Sequence, residues 1–131
     1  MTLTSPKKIL LVEDEQLIRE GYKKLLELKG HQVTGATDGK KAIQALNHND
    51  YDLIITDVHM PKMDGLEMIS ILKRRKMLNK VIVITAYHDF GQDGLFHNLL
   101  KDGVAGVLHK PFTLNDLLQI IDKMFNYEFQ T

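Results

Sequence analysis

At 131 residues the chain is long enough for one domain with a single real core. Apolar residues at 44%, charged residues at 26% and zero formal net charge are ordinary for a soluble globular chain, so composition alone makes no case for nucleic-acid binding. The absence of cysteine excludes disulfides and thiolate zinc sites and allows a reducing compartment; no apolar stretch approaches the roughly 18 residues of a membrane span, and no signal-peptide pattern opens the chain.

Five short runs rich in Val, Ile and Leu follow in chain order: Ile9–Val12, Val33–Ala36, Leu53–Thr56, Val81–Thr85 and Gly106–Leu108. Several lack polar alternation, which suits strands buried on both faces of a parallel sheet. A helix-length segment follows each run. The first carries Ile18, Tyr22, Leu25 and Leu26 at helical spacing and stops at Gly30. The second starts from Asp38 as N-cap, with Ala42, Ala45 and Leu46 on one face. The third runs from about Asp64 through Leu66, Ile69 and Leu72. The fourth, about Asp89 to Asp102, has an apolar face of Phe96, Leu99 and Leu100 but contains Gly91 and Gly94. Each glycine costs roughly 0.8–1 kcal/mol in a helix interior, so a late start or high mobility is expected there. The fifth opens on Thr113-Leu114-Asn115-Asp116, a capping-box-like pattern, and presents Leu117, Ile120, Ile121 and Met124. A β-α unit repeated five times predicts an α/β three-layer sandwich, with a parallel sheet between helices. The domain is expected over residues 7–127, with flexible ends at 1–6 and 128–131.

Four of the strands end on reactive polar groups: Glu13-Asp14, Asp57, Thr85 and Lys110. Ligands of open α/β sheets bind at the carboxyl ends of strands, so these groups would share one crevice. Three acids in one crevice repel unless a cation or protons relieve them, and an all-oxygen set with room for water and phosphate suits Mg²⁺. Asp57 could attack a phosphorus to give an acyl phosphate. Thr85 could donate to a phosphoryl oxygen and Lys110 could pair with its charge. A cis bond between Lys110 and Pro111 would aim the lysine inward. Each residue also has an ordinary role: helix-dipole acids at 13–14, a turn-initiating Asp57, a β-branched strand residue at 85, a surface lysine at 110. The matching positions at four strand ends favour the shared site. None of the six histidines pair at metal spacing, and His59 stands at the rim of any site around Asp57.

At these residues the chain resembles the receiver domain of two-component response regulators. The motifs are Ile9-Leu10-Leu11-Val12-Glu13-Asp14-Glu15, Asp57-Val58-His59-Met60-Pro61-Lys62-Met63-Asp64-Gly65, Val83-Ile84-Thr85-Ala86 and Lys110-Pro111-Phe112. The resemblance covers roughly residues 7–127 and implies a flavodoxin-like doubly wound sheet of order 2-1-3-4-5. It implies that Asp57 is the phosphoacceptor, taking its phosphoryl group from a histidine kinase or histidine phosphotransfer protein. Asp14, Asp57 and the backbone carbonyl of His59 would bind Mg²⁺, with Glu13 acting through a metal-bound water. Thr85 and Lys110 would hold the phosphoryl oxygens. Such domains promote their own phosphorylation and dephosphorylation without being conventional enzymes. They are cytoplasmic, without membrane or direct nucleic-acid contact. A homodimer or downstream protein would meet the face formed by the fourth helix, fifth strand and fifth helix.

The chain departs from the family at Val107, three residues before the lysine, where Tyr or Phe is usual. Valine cannot report the usual ring rotation, so the signal would pass through the 86–94 backbone or through Tyr87 or Phe90. His59 and Tyr87 match rim positions that tune hydrolysis in the family. An aspartyl-phosphate phosphatase of the haloacid dehalogenase type would need an acid where His59 stands and a threonine where Pro61 stands. A dinucleotide site would need a glycine-rich loop where Glu13-Asp14-Glu15 stands. A receiver-like module that takes no phosphate would not need all five pocket residues.

Overall fold

The computed structural model describes residues 5–58, 65–86 and 95–126. Five parallel strands, β1 (Lys8–Val12), β2 (Gln32–Ala36), β3 (Leu53–Asp57), β4 (Val81–Ala86) and β5 (Gly106–Lys110), form one sheet in the order β2-β1-β3-β4-β5. Among the described residues, the α-helices are α1 (Gln16–Leu28), α2 (Gly39–His48), α3 (Gly65–Arg74), α4 (Leu95–Asp102) and α5 (Leu114–Asn126). The α/β architecture expected from the apolar runs and the strand order implied by the resemblance are both observed.

Side chains alternate across a strand, so each strand feeds two cores. Ile9, Leu11, Leu53, Ile55, Ile82 and Ile84 meet Leu26 of α1 and Leu117 and Ile121 of α5. Leu10, Val12, Ile54, Val81 and Val83 meet Ala42 of α2, Met68, Ile69 and Leu72 of α3, and Leu99 of α4. All five residues of β3 are buried, whereas edge strands β2 and β5 are partly open. This explains why the central strands read as unbroken apolar runs.

Local chemistry sets the helix ends. The Asp38 side chain accepts the Lys41 N–H at 2.8 Å and caps α2. Thr113 and Asp116 cap α5 reciprocally, at 2.9 and 3.1 Å, as their spacing predicts. Gly30 ends α1 with φ +96; its N–H donates to Glu27 and that of His31 to Leu26, a Schellman turn.

Two details differ from expectation. Leu25 and Leu100, placed on buried faces, are 39% and 53% exposed. Each lies one residue from the true core residue, Leu26 or Leu99, and so is turned about 100° around the helix. The strands also run on past the apolar runs, to Asp57, Ala86 and Lys110, because parallel pairing with neighbours continues to those residues. Asp64, Asp89, Gly91 and Gly94, on which the starts of the third and fourth helices were expected to turn, lie outside the described residues.

Candidate functional site

The sheet register brings the strand ends level. Val12 pairs with Thr56, which sets the next residues, Glu13 and Asp57, side by side at the carboxyl edge. Asp57 pairs with Ile84, Thr85 with His109, and Ala86 with Lys110. Glu13, Asp57 and Thr85 are all buried, which is unusual for acids. Asp14, one residue beyond Glu13, is exposed.

Lys110 crosses to the acids. Its Nζ lies 2.7 Å from Asp57 Oδ2 and 3.9 Å from Glu13 Oε1. The Lys110–Pro111 peptide is cis. Burial alone would depress the lysine's pKa, but the Asp57 hydrogen bond and the charges of Asp57 and Glu13 outweigh it and raise it. Lys110 is therefore an ammonium at any physiological pH.

Glu13 is in the opposite position. Burial pushes its carboxyl up to about 7; Asp14 and Asp57 add to that, while the Glu15 N–H and Lys110 oppose it. Its Oε2 accepts the Glu15 N–H at 3.2 Å. Its Oε1 is buried with no hydrogen-bond partner among the described residues. A buried carboxylate oxygen without a donor, beside a second buried carboxylate, fits a small hard cation or water bound to one. Among the described residues no three His, Asp or Glu side chains close on one metal-sized point. The expected set does not require three, since it names only Asp14 and Asp57 as direct carboxylates. The His59 carbonyl, together with Tyr87 and Phe90, lies outside the described residues.

Two polar side chains here escaped the motif reading. Thr56 is fully buried, and its Oγ1 donates to the Asp57 carbonyl at 3.0 Å. Arg19 of α1 donates from Nη1 to the Glu13 carbonyl at 2.9 Å. The signal for Arg19 was indirect: Gly35, inside a strand, marks a close approach by another group. Val107, the expected departure, is half-buried against the core on the α2–α3 side.

Comparison with known proteins gives the family and agrees with the fold. The profile of the response regulator receiver domain matches residues 9–122. The transcriptional regulatory protein CrdR of Helicobacter pylori is 36% identical over 121 residues, covering 92% of this chain and 55% of CrdR. The chain thus spans about half the length of that relative. The receiver domain of Francisella response regulator 1452 superposes with a TM-score of 0.82 at 30% identity, over 93% of this chain and 98% of that domain. The response regulator TrrA of Thermotoga maritima, solved in complex with Mg²⁺–BeF, gives a TM-score of 0.77 at 30% identity, over 90% and 98% of the two chains. Sequence profile, relatives and fold agree that this chain belongs to the response regulator receiver domains of two-component signal transduction.

Proposed function

We propose that Asp57 accepts a phosphoryl group from a phosphohistidine of a sensor kinase or phosphotransfer protein. A carboxylate oxygen of Asp57 forms the new P–O bond, the donor's P–N bond breaks, and the imidazole leaves with a proton from solvent. The observation that carries this reading is the buried Asp57 carboxylate held by Lys110 at 2.7 Å, with Glu13 beside it at the same sheet edge. Lys110 and Thr85 bind the phosphoryl oxygens, and the ammonium offsets charge that builds on them in the transition state. Asp14, Asp57 and the backbone carbonyl of His59 would hold Mg²⁺, with Glu13 acting through water. Bound there, Mg²⁺ neutralises charge on the transferring group. The orphan Glu13 oxygen and the Mg²⁺–BeF complex of TrrA support that assignment.

The same residues promote loss of the phosphoryl group to water, at a rate set by the side chains at positions 59 and 87. The phosphorylated state is read by a protein partner or second copy at α4, β5 and α5. A cleft of about 370 Å³ lies there, lined by Leu100, Val107, His109, Ile120 and Met124. With valine at 107, the usual ring at that position cannot carry the change, which passes instead through the 86–94 backbone or through Tyr87 or Phe90.

Incubation with acetyl phosphate and Mg²⁺, followed by intact mass measurement, tests the reading. One phosphate adduct is expected on the wild type and none on Asp57→Ala. No adduct on the wild type, or an equal one on the variant, overturns it.

A further inference from the structure

We infer that Arg19 is a positioning residue: it braces the Glu13–Glu15 loop from helix α1, across Gly35 of the neighbouring strand, and so sets Asp14 for the cation. The inference rests on the metal role proposed above for Asp14. It adds a residue from outside the acidic pocket.

The loop has few other restraints. The α1 N-cap position is Glu15, and its side chain makes no capping hydrogen bond. Glu13 itself is fixed at its N–H, which donates to the Ala36 carbonyl at 3.0 Å. Its side chain accepts from the Glu15 N–H. The Glu13–Asp14 peptide is then oriented by whatever holds the Glu13 carbonyl. That group is the Arg19 guanidinium, at 2.9 Å and six residues away in sequence. A hydrogen bond from a charged donor is among the stronger ones, and the planar guanidinium gives it a direction. A turn about the Glu13 Cα–C bond, which the Arg19 contact opposes, would move the Asp14 Cα and with it the carboxylate.

Gly35 is the second half of the device. Arg19 lies over it so closely that a Cβ at 35 would sit 3.2 Å from Arg19 Cδ and 3.4 Å from Cγ. Gly35 pairs with Leu11, one residue before the level of Val12 and Ala36. Its φ is not in the left-handed region, so backbone freedom does not explain a glycine there. Glycine within a strand weakens it and is retained where another group approaches the backbone. The group here is the arginine stem, and the approach delivers the guanidinium to the loop.

Three variants test the brace: Arg19→Met, which keeps the stem and removes the donor; Gly35→Val, which pushes the stem aside; and the double variant. Mg²⁺ affinity, measured calorimetrically without any phosphodonor, is expected to fall about tenfold in each single variant, the scale seen when outer-shell partners of metal ligands are lost. The double variant should fall no further, because both changes remove one contact. Arg19→Lys should recover part of the loss. In acetyl phosphate reactions the Mg²⁺ concentration for half-maximal rate should rise by the same factor, with the rate at saturating Mg²⁺ within twofold of wild type. Amide exchange in metal-free protein should quicken at Asp14 and Glu15 but not in β3 or β4. Wild-type Mg²⁺ affinity in Arg19→Met, additive losses in the double variant, or unchanged exchange at 14–15 would each overturn the brace. A wild type that binds Mg²⁺ but takes no phosphate overturns the phosphoacceptor reading and leaves the brace standing; one that binds no Mg²⁺ overturns both.

Discussion

The two ends of the sheet are finished to opposite standards. At the amino end, helices α1, α3 and α4 all close in Schellman turns. The N–H groups of Gly30 and His31, Lys76 and Met77, and Gly103 and Val104 reach back to carbonyls of the last helical turn. There, His31 is buried with its Nδ1 accepting the Lys7 N–H at 3.1 Å. At the carboxyl end, Glu13 and Asp57 are buried together, and Glu13 Oε1 has no hydrogen-bond donor among the described residues. The first end satisfies its polar groups internally and contributes stability. The second leaves a polar demand that no hydrogen-bond donor among the described residues meets and that a ligand or proton can, at a cost to the fold. A sheet can carry such an end because the two cores on its faces are independent of it.

The largest break in this contrast should come from Glu13→Gln in metal-free protein. The folded-state pKa of Glu13 is raised from 4.5 to about 7, so the folded state binds the proton more tightly than the unfolded state. Stability from this group is therefore full below about pH 4.5 and is lost as pH rises through about 7. Glu13→Gln should raise stability by about 1–3 kcal/mol at pH 8, read by urea unfolding, and have little effect near pH 4. Loss of stability at pH 8 would mean that the carboxylate is not a burden there. Wild type should regain much of the difference on adding Mg²⁺.

A smaller effect tests the satisfied end. Gly30 and Gly103 turn with φ of +96 and +115, but the equivalent residue after α3 is Lys76, at φ +59. A side chain in the left-handed region costs about 1–2 kcal/mol. Lys76→Gly relieves that cost and should stabilise the protein by about 1 kcal/mol, net of the glycine's greater unfolded freedom. Gly30→Ala should destabilise it by a similar amount. Thermal unfolding of both variants reads the pair, and equal melting temperatures would remove the proposed difference between the turns.

The smallest effect sharpens the contrast through pH. Burial, helped by the charge of Lys7 and opposed by Asp122, lowers the pKa of His31. A depressed histidine pKa means that the unfolded state takes the proton first. Stability is thus full above about 6.5 and lost as pH falls below it. The two ends titrate in opposite senses between about pH 5 and 7. In Glu13→Gln, stability should rise with pH across this range; in His31→Gln it should fall. The His31 hydrogen bond is worth about 1 kcal/mol, which bounds its share. Identical slopes in the two variants would show that these groups do not govern the titration.

Much of the fold was legible because the signals are local. Asp38, Gly30 and the Thr113–Asp116 pair act within a few residues of themselves, and each does in the structure what its type predicts. Leu25 and Leu100 were misplaced because, where two apolar residues are adjacent, a helical pattern does not say which one faces the sheet. The acids and Lys110 were legible as a group because each ends an apolar run.

By itself the sequence determined the five strands and five α-helices seen among the described residues, the stop of α1, the caps of α2 and α5, and the family, since periodicity, capping and dispersed motifs are all written along the chain. Only the tertiary structure decided that Lys110 meets Asp57 at 2.7 Å, that Glu13 keeps a buried oxygen with no hydrogen-bond partner among the described residues, and that Arg19 passes over Gly35 to hold the acidic loop. These are contacts between residues 6 to 53 positions apart in the chain. Their distances and their burial are set by sheet register and helix packing, which no local pattern encodes.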